Sequence, residues 1–439
     1  MTNIEQNFQQ LPYVSYAYSY PHKTAYRVFE YPVQLKEAWS RERKDALFLY
    51  LHIPFCEMRC GFCNLFTTAN PRQDIITAYL EAMYREAREV SGSLGNAKFA
   101  RMAIGGGTPT FLSAAELDRL IDIAQEIFSC QMDDIPASCE TSPFSADGPR
   151  LRVLRERGID RISIGVQSFV EAEVRAVGRS QKTLQVEQAL ECIRTIGFPV
   201  LNIDLMYGLP GQTVDSWLVS LKCALRYQPE EFYLYPLYVR PLTGMTRHAK
   251  EWNDIRLACY REGRSLLISA GYEQLSMRMF RSSSVSTRDD TVYCCQDDGM
   301  IGIGCGARSY TRELHYSSEY AVGAGNIHEI IRRFVERPRA AFSRADYGFR
   351  LSADEQQRRF VIKSILRKDG LDVAGYRHRF GNNPQEDLPQ LAGLLTAGLA
   401  VSNDQTFKLS EAGMELSDAI GPWLYSPNVR DLMRSYDLR

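Results

Sequence analysis

No stretch of about 18 consecutive apolar residues occurs in the chain, which argues against a membrane-spanning helix. The opening MTNIEQNFQQ has neither the basic nor the apolar region of a secretion signal. Charge of one sign is missing too. With 52 Lys+Arg against 53 Asp+Glu the formal net charge is -1, so no global field draws the protein to nucleic acid or to an anionic membrane. The 11 cysteines among 439 residues are too few and too scattered for a secreted disulfide scaffold. No internal repeat and no low-complexity segment interrupts the sequence. A soluble globular protein of a reducing compartment, and hence a cytoplasmic location, is the expectation.

What is present is apolar content of 45%, enough for one large α/β domain and a smaller one. From residue 47 to about 238, β-rich apolar runs alternate with amphipathic helical stretches, the pattern of a parallel sheet with crossover helices. Six strand candidates stand out: 47–53, 99–105, 137–141, 161–166, 200–208 and 231–238. Ser113 with Glu116 fits a helix capping box, and Thr213 opens another helix that ends near Tyr227. Beyond Pro241 a helical stretch leads into YEQLSMRMF and YCCQDDGMIGIGCGARSY, which are expected to extend the sheet edge. From about Leu351 the chain turns to Arg-rich amphipathic helices, with GLAVSNDQTFKLS reading as a two-stranded wing. The expected division is an N-terminal Tyr-rich extension over 1–46, a core with its sheet extension over 47–345, and a small helical, winged-helix-like domain over 346–439.

Eight cysteines, Cys130, Cys139, Cys192, Cys223, Cys259, Cys294, Cys295 and Cys305, are spread along the chain and read mostly as small core residues. The other three, Cys56, Cys60 and Cys63, form C-x3-C-x2-C in the loop after the first strand candidate. A cubane iron-sulfur cluster normally takes four thiolates, so three leave one iron open to an exogenous ligand. A structural zinc loop is the competing reading, but no nearby His or Cys completes a tetrahedral set.

The run from Tyr50 through Pro54-Phe55-Cys56 to Cys60, Phe62 and Cys63 resembles radical S-adenosylmethionine (SAM) proteins, specifically a divergent branch of the oxygen-independent coproporphyrinogen III oxidase and haem-chaperone family. The resemblance covers nearly the whole chain. It implies a partial (β/α)6 radical SAM barrel, a [4Fe-4S] cluster held by Cys56, Cys60 and Cys63, and SAM as the second cofactor. Distinctive polar residues also fall at successive strand ends, where α/β barrels place their chemistry. They are Gly105-Gly106-Gly107-Thr108-Pro109, Glu140, Gln167 and Asp204, with Arg179 downstream of Gln167. By resemblance, Tyr50, Phe62, Gly106, Gly107, Thr108, Glu140, Gln167, Arg179 and Asp204 bind SAM, and the backbone near Ala307 and Arg308 touches its adenosine. Residues from LSADEQQRRF to KLSEAGMEL resemble the family's C-terminal domain. The implied partners are a small organic substrate, a tetrapyrrole leading, and an electron donor such as flavodoxin or ferredoxin; membrane and nucleic acid are not expected partners.

The chain also departs from both branches of the family. Leu65 occupies the position of the oxidases' fourth cysteine, and Asp290-Thr291-Val292-Tyr293-Cys294-Cys295-Gln296 replaces the chaperones' HNxxYW signature. The segment with Tyr13, Tyr16, Tyr18, Tyr20 and Tyr26 resembles the tyrosine-containing start of the oxidases, and packing across a barrel mouth is expected of it more than stacking on a substrate. If Cys294 and Cys295 lie in a strand, at most one points inward. An oxidoreductase-like radical enzyme is the leading reading. A haem-binding carrier of the same fold is the alternative, and a DNA-binding redox regulator comes third.

Overall fold

The computed structural model describes residues 3–245, 254–285 and 295–438. Six parallel strands, Leu47–Ile53, Phe99–Gly106, Ala137–Thr141, Arg161–Gln167, Val200–Tyr207 and Glu231–Pro236, pair with one another in sequence order. They are the six read from the sequence, and the helices between them make this a partial (β/α)6 barrel. Ser113 forms the expected capping box with Glu116 at the start of helix Ala114–Asp122. Thr213 caps helix Val214–Leu225, accepting from the Ser216 amide.

The extension of the sheet occurs at both edges rather than one. Strands Met279–Ser282 and Tyr272–Gln274 add antiparallel beyond the sixth barrel strand. Strand Met300–Ile303 adds parallel to the first, pairing Met300 with Phe48 and Ile303 with Leu51. From there the sheet continues through Arg308–Tyr310, Leu314–Ser317, Arg344–Arg350 and Arg27–Gln34, for 13 strands among the described residues. Strand Arg344–Arg350 runs across the expected boundary at residue 345, so the main sheet reaches the start of the C-terminal domain without a break. The N-terminal extension has order of its own, a helix Asn3–Gln10 and the edge strand Arg27–Gln34. That strand escapes a sequence reading because it contains Pro32 and leaves Val28 69% and Tyr31 75% exposed, so no clean alternation marks it.

The C-terminal residues fold around a second core. Helix Ala353–Ile365 starts on the Ser352 cap, and the wing appears as strands Ala400–Ser402 and Thr406–Leu409 in a small antiparallel sheet with Leu371–Asp372. Phe8, Ala17, Tyr20, Ala25 and Tyr26 of the extension belong to this core, together with Val361, Ile365, Leu394 and Phe407. The extension is therefore a strap that fastens the C-terminal domain to the open side of the barrel. No helix among the described residues is long and apolar enough to cross a membrane.

Candidate functional site

Period-two alternation decides what each barrel strand shows to the interior. In the first strand Leu47, Leu49, Leu51 and Ile53 are fully buried in the main core, which leaves Phe48, Tyr50 and His52 facing a central cavity. The fourth strand buries Ile162, Ile164 and Val166 and turns Ser163, Gly165 and Gln167 inward; the fifth buries Leu201, Ile203 and Leu205 and turns Asp204 and Met206 inward. These faces surround a cavity of about 1260 Å³, bordered on its outer side by the N-terminal strap and the last helices.

The three cysteines of the loop after the first strand all line this cavity. Their loop is fixed at several points. The Cys63 amide donates to Cys60 O at 3.0 Å, and the Gly61 amide donates to Val177 O at 2.8 Å. Phe62 packs on Val177, Met206 and Leu237. Each sulfur has a polar neighbour: Thr108 Oγ1 at 3.5 Å from Cys56, Arg179 Nη1 at 3.3 Å from Cys60, and Thr67 Oγ1 at 3.9 Å from Cys63. Burial pushes the Cys56 thiol up to about 12 and raises that of Cys63. A bound metal would reverse this by holding the sulfurs as thiolates. Among the described residues no group of three His, Cys, Asp or Glu is placed to hold one metal ion. A mononuclear zinc requires that convergence, whereas a cubane presents a separate iron to each sulfur. Three soft thiol donors in one loop fit a cubane cluster with one iron left open.

The glycine loop after the second strand lies directly against the cluster loop. Its Gly107 and Thr108 amides donate to Ile53 O at 2.7 Å and Phe55 O at 2.8 Å. A Cβ on Gly107 would come within 2.6 Å of Phe55 O and 2.9 Å of Cys56 Sγ, so only glycine lets the two backbones meet. Gly106 adopts φ +122° and donates its amide to Glu140 Oε2 at 3.0 Å.

Glu140, Gln167 and Asp204 converge on the cavity from consecutive strands. Burial raises Glu140 to about 7 and Asp204 to about 6, Asn202 holding the latter through a 2.7 Å bond. Gln167, a non-glycine at φ +69°, sits at an irregularity of the fourth strand's register, the kind of local strain that gathers at functional sites. Burial lowers His52 to about 4, so this ring is neutral beside Tyr50, whose hydroxyl lies 3.2 Å from its Nδ1.

Every residue singled out from the sequence for SAM lines the cavity except Ala307, which is buried beneath it with its amide on Gly304 O at 3.0 Å. Arg179 places its guanidinium against Cys60, with Nη2 on Gly165 O at 2.6 Å. Of the tyrosines of the strap, Tyr13, Tyr20 and Tyr26 are buried in the two cores and Tyr16 and Tyr18 face the cavity. Cys294 lies outside the described residues. Cys295 does not lie in a strand: it begins the helical turn Cys295–Asp298 and faces the cavity, so the strand argument does not apply to it. Cys130, Cys139, Cys259 and Cys305 are buried, as expected of core residues. The sequence reading missed His22, Lys23, Arg240 and Arg278, all of which line the cavity. No motif announces them, because the strap and the barrel edge meet only in three dimensions.

Comparison with known proteins gives matches over most of the chain. Residues 50–224 match the radical SAM superfamily and residues 351–416 the HemN C-terminal domain. The oxygen-independent coproporphyrinogen III oxidase of Escherichia coli is 28% identical over 424 residues, spanning 91% of each chain. The heme chaperone HemW of Bacillus subtilis is 26% identical over 381 residues, 84% of this chain and 97% of its own. The solved structure of coproporphyrinogen III oxidase (HemN) from Escherichia coli, a radical SAM enzyme, superposes with a TM-score of 0.78 at 25% identity, covering 96% of this chain and 98% of that one. Radical SAM proteins employ a [4Fe-4S] cluster and SAM, and the three-cysteine loop has donors of the kind that would hold the first of these. With both domains matched in order and a common fold along almost its full length, the chain carries a radical SAM domain followed by a HemN C-terminal domain, and it is similar to oxygen-independent coproporphyrinogen III oxidases and heme chaperones alike.

Proposed function

We propose that the protein is an enzyme that generates a 5′-deoxyadenosyl radical from SAM and directs it at an organic substrate, a tetrapyrrole by kinship with its relatives. The observation that carries this reading is the size of the cavity. Its volume of about 1260 Å³ exceeds the roughly 300–1,000 Å³ of ordinary ligand pockets. Cluster cysteines line one part of it and Tyr16, Tyr18, Tyr238 and Tyr310 another, leaving room for a flat second ligand beside SAM. Cys56, Cys60 and Cys63 would hold the cluster. Held there, the cluster would supply the one-electron reduction of SAM that this chemistry needs. The chain's own residues do the rest: Arg179 braces the Cys60 sulfur, Glu140 and Asp204 accept from the cofactor's ammonium and hydroxyls, and the strap with the last helices borders the outer part of the cavity.

Asp204→Ala should leave cluster content unchanged while SAM affinity falls at least about tenfold, on the order of 1.4 kcal/mol for one lost contact to a charged or polar partner. Gly106→Val should weaken SAM binding further, since its Cβ would lie 2.7 Å from the His52 ring at a φ that valine avoids. Iron and sulfide analysis paired with calorimetry checks both, and wild-type SAM affinity in the two variants would place the SAM site elsewhere.

One observation favours a distinction from the oxidases. Leu65, at the position of their fourth cysteine, is 47% exposed and faces the cavity, where it supplies no thiol. The decisive experiment is anaerobic incubation of the reconstituted protein with SAM, reductant and a panel of coproporphyrinogen III and haem. Release of 5′-deoxyadenosine that a tetrapyrrole accelerates, with no efficient decarboxylation of coproporphyrinogen III, is the expected result. Multiple-turnover decarboxylation would make the chain an authentic oxidase. Stoichiometric haem binding without tetrapyrrole-dependent SAM cleavage would favour the carrier reading.

A further inference from the structure

Most charged groups turned toward the cavity have a partner of opposite charge or belong to the cofactor end. Arg278 is met by Asp418, and Arg179 lies on Cys60. Lys23 and Arg308 differ. Arg308 donates through Nη1 to Ser19 Oγ at 3.0 Å and lies over the Tyr18 and Tyr310 rings, 4.9 Å and 5.8 Å from their centroids. The Lys23 ammonium sits 3.6 Å above the centre of the Tyr320 ring. No carboxylate among the described residues lies within ion-pairing distance of either cation. Both face the cavity, half-buried, with Tyr18 beside them.

Cations withdrawn from bulk water are ordinarily paired, because desolvation is costly and like charges repel. Two of them in one wall, without an acid, leave a region of positive potential aimed at whatever occupies the cavity. The surroundings register that field. Burial raises the Tyr18 phenol, yet Arg308 and Lys23 bring it below its ordinary value. Burial lowers the Lys23 ammonium to about 8, and Arg308 adds to the lowering. The location is also specific. The Tyr320 hydroxyl under Lys23 donates to Asn64 O at 2.7 Å, so the ammonium stands one aromatic ring from the residue next to Cys63.

We propose that Lys23 and Arg308 form an anion-binding pair that takes a carboxylate of the substrate and so fixes its orientation against the cluster end of the cavity. The proposal rests on reading the cavity as a site for a substrate beside SAM. Because Lys23 belongs to the strap and Arg308 to the strand Arg308–Tyr310, the anion would also tie the N-terminal segment to the barrel. The same chemistry could be met by the carboxylate of SAM, and the experiment separates the two sources.

The test uses the reconstituted full-length protein at pH 7, with Lys23→Met and Arg308→Gln as independent variants. In one arm, coproporphyrin III and its tetramethyl ester are titrated optically; the free acid should bind at least about tenfold more tightly, and each variant should lose most of that preference while retaining ester affinity. In a second arm, thermal unfolding is compared in citrate and in chloride at equal ionic strength. Wild type should gain several degrees more from citrate than either variant, general salt effects being common to all three. In a third, the SAM affinity of the Lys23→Met variant is measured by calorimetry and should be unchanged. A wild-type citrate response and acid preference in both variants would overturn the pair. Loss of SAM affinity as large as the loss for the porphyrin would overturn its assignment to substrate. Failure of wild type to bind coproporphyrin III, with the citrate difference intact, would sustain the pair and count against a tetrapyrrole.

Discussion

Replacing any one of Cys56, Cys60 and Cys63 with alanine should abolish the visible absorption of the reconstituted cluster. Each thiolate is one of three, and a site that already leaves one iron without a protein ligand has no spare donor. Among the described residues the one further cysteine that lines the cavity, Cys295, lies outside this loop on the turn Cys295–Asp298. The loop itself should survive the change, because the Gly61 and Cys63 amides and the packing of Phe62 hold it independently of the sulfurs. Cys223→Ala is the control: that thiol is half-buried against the main core, away from the cavity, and its loss should leave the absorption intact. Iron and sulfide analysis measures the outcome. A triple variant of Cys56, Cys60 and Cys63 that still held a full complement of iron and sulfide would overturn the assignment of the cluster.

The barrel and the strand-end residues of its cavity were legible in the sequence for a physical reason. Strands such as 47–53 and 200–207 are buried on the helix side and carry their polar residues inward, so alternation marks both the element and the residues that face the cavity. Asp204 and Gln167 could be named because they stand at strand ends, and Gly107 because its close approach to Phe55 and Cys56 allows no side chain. The outer half of the cavity carried no such mark. Tyr13 packs in the barrel core, Tyr20 in the C-terminal core, and Tyr16 and Tyr18 on the cavity, so one aromatic run serves three environments and has no single period. Lys23 and Arg308 lie 285 residues apart and become neighbours of Tyr18 only when the strap crosses the barrel mouth. Cys295 was misplaced because four residues of helical turn, Cys295–Asp298, are too short to show a helical period beside the strand that follows.

The C-terminal domain is held to the barrel by a buried charge, and breaking it should be the most destabilising single change at this junction. Arg278, which precedes the edge strand Met279–Ser282, donates to Asp418 in helix Ser417–Trp423; their side chains are 3% and 2% exposed. Tyr238 donates to the same carboxylate, and the Arg278 guanidinium lies 3.8 Å from the centre of the Tyr16 ring, so barrel, strap and C-terminal domain meet at one ion pair. The Asp418 backbone carbonyl accepts from the Ser15 amide at 3.1 Å, adding a second tie to the strap. Desolvating both charges offsets most of their attraction, so the pair contributes little net stability over an apolar substitute. Removing one partner is different, because the other remains buried without a counter-charge. Asp418→Ala should therefore cost about 3–5 kcal/mol. Arg278→Met in the same chain should recover most of that loss, since the stranded cation is then gone. Urea unfolding of wild type, both single variants and the double variant measures the coupling. A loss below about 1 kcal/mol for Asp418→Ala, the size expected of an exposed ion pair, would show that water reaches the junction and that the pair does not bind the domains together.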